Sequence, residues 1–274
     1  MKLTIIKLFI LFSGSVLQSQ TILEADGSGK AGILINSILD PDRGRALESP
    51  GIKKGDCDNH SNAKDPHITE IFDNELNKYV FKFSIHLNED NDRCKKFDRQ
   101  RNEIKTYRAS PDSLKGTKGE TVEYIWKFKL DTNFKPSKNF THIHQLKSVD
   151  EQPKSKPIIT LTPRKGNPDQ LELRYSNGPE KGVILKKVDL DLFRGKWVKV
   201  TETVTYDTKG SYKIDIIDIK TEKNILNFKS ENLILWQNGA SFIRPKWGIY
   251  RSLKTAKDLR DEDLFFADFS IIEK

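Results

Sequence analysis

Val122-Glu123-Tyr124-Ile125-Trp126-Lys127-Phe128-Lys129-Leu130 is the stretch on which the fold turns. Its apolar side chains recur at every second position, Val122, Tyr124, Trp126, Phe128 and Leu130, with Glu123, Lys127 and Lys129 between them. Successive side chains of a strand point to opposite faces, so one face of this segment seeks a core and the other meets water. Tyr79, Phe81, Phe83, Ile85 and Leu87 repeat the pattern against Lys82, Ser84 and His86. Shorter segments of the same kind occur at 140–147, 158–162, 171–175, 197–206, 212–219 and 265–272. Turn signals separate them, among them Asn167-Pro168-Asp169, Ser176-Asn177-Gly178-Pro179 and Thr208-Lys209-Gly210.

Working outward, 197–206 and 212–219 predict a long hairpin in one sheet. Phe265, Ala267, Phe269 and Ile271 predict an apolar-faced closing strand. Many short strands with Gly, Pro and Asn between them point to an all-β fold, a concanavalin-like jelly-roll sandwich of two antiparallel sheets. Neither a linker nor a repeat divides the chain, so residues 21–274 are read as one domain. Its 47 Lys and Arg against 39 Asp and Glu give +8, a basic balance that suits an acidic partner. The content of aromatic residues is too high for a disordered chain.

Residues 1–20 read as a secretory leader: Lys2 and Lys7 flank the apolar run Leu8–Phe12, and Ser13-Gly14-Ser15 follows. Cleavage is expected near Ser19 or Gln20, which removes two of the positive charges and places the mature protein outside the cytoplasm. The run is too short to span a bilayer. In an oxidising compartment Cys57 and Cys94 are expected to form a disulfide; a metal site from Cys57, His60 and Cys94 is the alternative, without ligand spacing in its favour.

Three segments carry unusual residues for strands. In Gln100-Arg101-Asn102-Glu103-Ile104-Lys105, the side chains of Arg101, Glu103 and Lys105 share a face, where Glu103 can orient both cations. In His142-Ile143-His144-Gln145-Leu146-Lys147, alternation groups Ile143, Gln145 and Lys147 against His142, His144 and Leu146. In Lys246-Trp247-Gly248-Ile249-Tyr250-Arg251, Lys246, Gly248 and Tyr250 share a face, and Gly248 leaves room for a ligand to approach the backbone. For each there is a bland reading: a solvated charged face, a tucked-in histidine, a core tyrosine.

Taken together and in this order, the three segments resemble those of jelly-roll alginate lyases. Those enzymes carry an Arg-x-Glu-Leu-Arg strand, a Gln-Ile-His strand and a Tyr-x-Lys-x-Gly-x-Tyr strand. Here Arg101-Asn102-Glu103-Ile104-Lys105, Gln145-Leu146-Lys147 and Lys246-Trp247-Gly248-Ile249-Tyr250 match in order and spacing. Three positions depart: Lys105 replaces the second Arg, Arg244 stands at the first Tyr, and Lys147 stands at the His. The wording of the segments resembles most the secreted ulvan lyases of polysaccharide lyase family 28, kin to the alginate and glucuronan lyase jelly rolls.

That resemblance implies an endo-acting lyase that removes the C5 proton of a 4-linked uronate and expels O4, leaving an unsaturated uronate end. The adjacent carboxylate must be neutralised to stabilise the enolate-like transition state. Arg101 and Gln145 are the expected neutralisers; Tyr250 and Lys147 are the candidates for acid and base, the uronate epimer deciding which of them is the base, and each such group contributes ~10²–10⁴-fold. Lys147 serves as a base only if its pKa is depressed, which neighbouring cations favour. His144 is expected in the core or just beneath the site, and replaces Lys147 if a bulge shifts the register. Glu103, Lys105, Lys246 and Arg251 are expected at the substrate, and Trp247 either stacks on a sugar or enters the core.

No cofactor is required. Asp90-Asn91-Asp92 with Asn88 is a conceivable structural Ca²⁺ loop, but its spacing is short, and no catalytic metal is expected. The expected partner is an anionic polysaccharide rather than nucleic acid or membrane, and the protein is expected to act as a monomer. There is no Glu-x-Asp-x-x-Glu strand, Gly-x-Ser-x-Gly elbow, His-Glu-x-x-His or P-loop. The rival reading is a carbohydrate-binding β-sandwich without catalysis.

Overall fold

The computed structural model describes residues 19–50, 67–150, 156–178 and 182–274. All of the expected leader except Ser19 and Gln20, and Cys57 of the expected disulfide, lie outside the described residues. In chain order the first strands are β1 (Gln20–Leu23), β2 (Leu47–Glu48), β3 (Ile68–Asp73), β4 (Lys78–Ile85) and β5 (Arg99–Lys105). There follow β6 (Thr121–Leu130), β7 (Thr141–Asp150), β8 (Ile159–Arg164), β9 (Gln170–Tyr175) and β10 (Val183–Asp189). The last are β11 (Val198–Thr205), β12 (Gly210–Asp218), β13 (Asn224–Leu233), β14 (Ala240–Ser252) and β15 (Glu262–Glu273). One α-helix, α1 (Ala31–Leu39), lies between β1 and β2 and buries Ala31, Ile35 and Leu39.

Two antiparallel sheets result, as the alternation predicts. One has the order β13-β12-β11-β6-β15-β4-β3, with β1 also paired to β15. The other has the order β10-β9-β8-β7-β14-β5-β2. β6 sits mid-sheet and buries every second residue, with Tyr124, Trp126, Phe128 and Leu130 at most 1% exposed. The expected hairpin is β11–β12.

The core forms where inner faces meet: the Trp126 ring lies 5.9 Å from that of Trp247, and Trp247 lies 5.0 Å from Phe269. The closing strand departs from strict alternation. Asp268 takes a positive φ of 53°, and the pairing of β15 with β6 shifts between Ala267 and Ser270. This bulge puts Phe266 and Phe269 in the main core and leaves Ala267 in a smaller cluster with Val80 and Trp197. The expected four-residue stripe is therefore split by one extra residue.

Candidate active site

The outer face of the second sheet gathers the three unusual segments. β14 lies between β7 and β5. On one side Tyr250 pairs with Arg101, Gly248 with Glu103 and Lys246 with Lys105. On the other, Lys246 pairs with Gln145 and Arg244 with Lys147. Directly paired residues share a face, so residues far apart in the chain form one charged surface.

Tyr250 stands at one end, half-buried. The Arg99 Nη1 donates to its hydroxyl at 3.1 Å, and the Arg101 guanidinium lies 3.6 Å from its ring centroid. Phe140 packs against the ring at 5.1 Å and His142 at 6.0 Å. Arg99 was not among the expected site residues, although the Arg99-x-Arg101-x-Glu103 alternation contains it. Asp98 donates nothing and accepts from Arg99 at 2.7 Å, which fixes the guanidinium.

Beyond Tyr250 the floor is a buried ionic layer. Glu103, fully buried, accepts from Arg101 and Lys246, each at 2.5 Å, and from the Gln145 amide. Lys105 does not reach Glu103 as expected: its Nζ goes to Glu48 at 2.7 Å. Glu48 on β2 also takes Lys246 at 2.7 Å and Arg93 at 2.8 Å. Asp92 accepts from Arg101 through both oxygens, at 2.9 and 3.1 Å. Many of the donors of Arg101, and the amide of Gln145, are thus engaged within the protein. Their direct part is to hold the layer in place, and any contact with a substrate carboxylate falls to the donors left over.

Electrostatics follow from this crowding. Burial alone would raise Glu48, but Lys246, Lys105, Arg101 and Arg93 hold it well below the usual carboxylate range. Burial and the surrounding cations depress the lysines: Lys105 falls to about 8, and Lys147 falls to about 8 through burial, then Lys246, Arg244 and Arg101. Arg244 is buried, donates to the Thr106 carbonyl at 3.3 Å and lies 4.9 Å from the Tyr107 ring. Beside Glu48 an open cleft of about 520 Å³ is lined in part by Arg43, Arg45, Arg93 and Lys105.

Trp247 and Arg251 do not reach the outer face, His144 takes the inward place expected of it, and Gly248 serves a contact within the sheet. Trp247 is 1% exposed and packs on Tyr124, Trp126 and Phe269, so it is a core residue and cannot meet a sugar on the outer face. Arg251 is fully buried behind the strand, its Nε on Gln100 Oε1 and its Nη1 on the Arg260 carbonyl, each at 2.8 Å. His144 also points inward, its Nε2 2.8 Å from Glu202 Oε2 and its Nδ1 3.0 Å from the Lys246 carbonyl oxygen. Gly248 has φ +138°, and a Cβ there would stand 2.2 Å from the Asn102 carbonyl oxygen. The space it leaves is filled by β5, not kept for a ligand.

The same glycine marks a register shift. Trp247 pairs with His144, but Tyr250 pairs with His142, so two residues of β14 oppose one of β7. The residue brought beside Tyr250 is His142, which alternation assigns to the inner face. Its Nδ1 lies 2.6 Å from Thr162 Oγ1. Burial lowers its pKa to about 3, with Arg164, Arg101 and Lys246 adding to the effect, so the imidazole is neutral.

A family model described as "Polysaccharide lyase" matches residues 74–268. No curated protein matches the sequence. Among solved structures, an endo-β-1,4-glucuronan lyase from the fungus Trichoderma reesei is similar at a TM-score of 0.52 and 13% identity, over 82% of this chain and 93% of that one. Alginate lyase A1-II′, a member of polysaccharide lyase family 7, is similar at 0.53 and 12% identity, over 77% and 85%. A marine alginate lyase from Aplysia kurodai, of polysaccharide lyase family 14, is similar at 0.51 and 14% identity, over 76% and 87%. At such identities the likeness concerns the jelly-roll fold.

Proposed function

The chain belongs to the polysaccharide lyase family, and from that premise we propose that it cleaves a uronate-containing, sulfated polysaccharide of the ulvan type within the chain by β-elimination. The observation that carries this reading is Tyr250, with Arg99 on its hydroxyl and Arg101 against its ring. The Tyr250 phenolate takes the C5 proton of the uronate. The C5–H electrons form the C4=C5 double bond, the C4–O4 bond breaks, and the new phenol returns its proton to O4. One residue serves as base and acid, provided both atoms lie on its side of the ring.

Lys147 is the cation we assign to the uronate carboxylate, with the Arg101 and Gln145 side chains held beside it by Glu103. Neutralising that carboxylate lowers the cost of the enolate-like transition state. His142 is a positioning residue: it packs beside Tyr250 and, being neutral, adds no further charge. The basic cleft at Arg43, Arg45 and Arg93 suits further sulfate or carboxylate groups, because guanidinium forks bind such oxyanions in pairs. The leader-like start of the chain supports export to where such polymers occur, and a monomer suffices for this site.

The test is a panel of ulvan, alginate, glucuronan and heparin, followed by the ultraviolet absorbance of the conjugated unsaturated uronate. Ulvan is expected to give the fastest rise, and Tyr250→Phe to abolish it by about 10³-fold or more while sparing binding. Binding without any rise on the panel would favour the non-catalytic carbohydrate-binding reading. A fast rise on alginate alone would remove the ulvan assignment but leave the elimination.

A further inference from the structure

Behind β5, on the face opposite Arg101, three side chains converge that the elimination does not use. His67 Nε2 lies 2.9 Å from Asp90 Oδ1 and 3.3 Å from His86 Nδ1, and His86 Nδ1 lies 3.4 Å from Asp90 Oδ2. We propose that His67, His86 and Asp90 form a structural site for a divalent transition metal, zinc in particular. Ligands about 2.0–2.1 Å from a tetrahedral zinc stand roughly 3.4 Å apart, close to the separations found here. Two imidazoles and one carboxylate suit zinc, whereas calcium and magnesium prefer all-oxygen sets.

The ligands are held before any ion arrives. Gln100 Nε2 donates to the carbonyls of His86 at 2.6 Å and of Asp90 at 3.0 Å. Asn102 Nδ2 donates to the His67 carbonyl at 2.8 Å. Both amides are fully buried on β5, so the strand that carries Arg101 outward grips all three ligand residues inward. Such support of the ligands from behind is what orients a metal site. His67 and Asp90 are buried, while the His86 side chain is 37% exposed.

The site differs from the all-oxygen loop considered from the sequence. Asp90 turns to the two histidines, Asn91 Oδ1 accepts from the Cys94 backbone, and Asp92 holds Arg101 and Arg93. An ion at Asp90 would therefore stiffen the segment whose next acid aims Arg101.

The experiment uses the full chain without an affinity tag, stripped with a chelator and dialysed. Zinc is titrated against a chromogenic competitor and counted by elemental analysis, and cobalt is added separately for its visible spectrum. One zinc per chain is expected, with a tetrahedral cobalt band and a rise in melting temperature of about 4 °C at saturation. His86→Gln, chosen because the residue is partly exposed, and His67→Gln should each lose that equivalent with an unchanged circular dichroism spectrum. Less than about a tenth of an equivalent in the wild type would overturn the proposal, and the cluster would be a hydrogen-bonded His–Asp–His triad. So would an undiminished equivalent in both variants, or calcium displacing zinc at the same residues.

Discussion

His142 and His144 lie two residues apart on β7 and belong to different parts of the molecule. His144 faces inward, its ring tilted against that of Trp126 at 4.5 Å, and reaches Glu202 of the opposite sheet, whose other oxygen accepts from the Tyr212 hydroxyl at 2.7 Å. His142 faces the outer surface beside Tyr250. Ideal alternation would give both residues one face. The bulge at Gly248 on the neighbouring strand breaks that parity. A single backbone irregularity thus separates a histidine that ties the two sheets together from one that lies beside Tyr250.

Gly248→Ala strikes the cause of this separation and should have the largest effect. The added Cβ meets β5 backbone in a conformation that L-residues avoid, so we expect a loss of about 4 kcal/mol of stability, with activity falling as well. Chemical denaturation checks it; a near-native midpoint would show that the bulge does not need glycine. His144→Ala should cost about 3 kcal/mol, because Glu202 loses a buried partner, while turnover per folded molecule stays near wild type. His142→Ala should do the reverse, with kcat down about tenfold and a melting temperature within about 2 °C of wild type. If the two variants behaved alike in both measurements, the division between the histidines would fail.

Smaller effects follow from pH. Lys147 is held to about 8, so it is charged below that value and neutral above it. If its charge neutralises the uronate, kcat/KM falls as pH rises through about 8 and the limb vanishes in Lys147→Arg; a rise there would make Lys147 a base. On the acid side the folded pKa of Glu48 is depressed. Its contribution to stability is present above the ordinary value of 4.5 and is lost as pH falls below it toward the folded value. Glu48→Gln should flatten the acid limb of the melting temperature.

Much of this was legible in the chain. The β6 alternation predicts a central strand, and the charged stripe of β5 predicts a surface that turns out to line up with Tyr250 and Gln145. Arg99 needed only the same period-two stripe carried one step further. Glu48, Asp92 and His142 were not legible: the first two reach the layer from β2 and from a loop, and the third depends on a bulge. Trp247 was open between sugar and core, and packing against Trp126 decides it. Arg251 looks like a ligand-binding residue in the sequence because charge alone does not reveal which side of a strand a residue takes, whereas His144 takes the inward place that alternation gives it.

By itself the amino-acid order determined what local physics can specify: period-two strands, turns between them, and an ordered trio of segments with the residues of a lyase. The tertiary structure alone decided which of those residues share a face, which carboxylate holds which cation, and that His67, His86 and Asp90 meet behind β5. The reason is that alternation has a period of two and no memory of irregularities. One bulge inverts every later assignment, and only the pairing of distant strands records where the bulges fall.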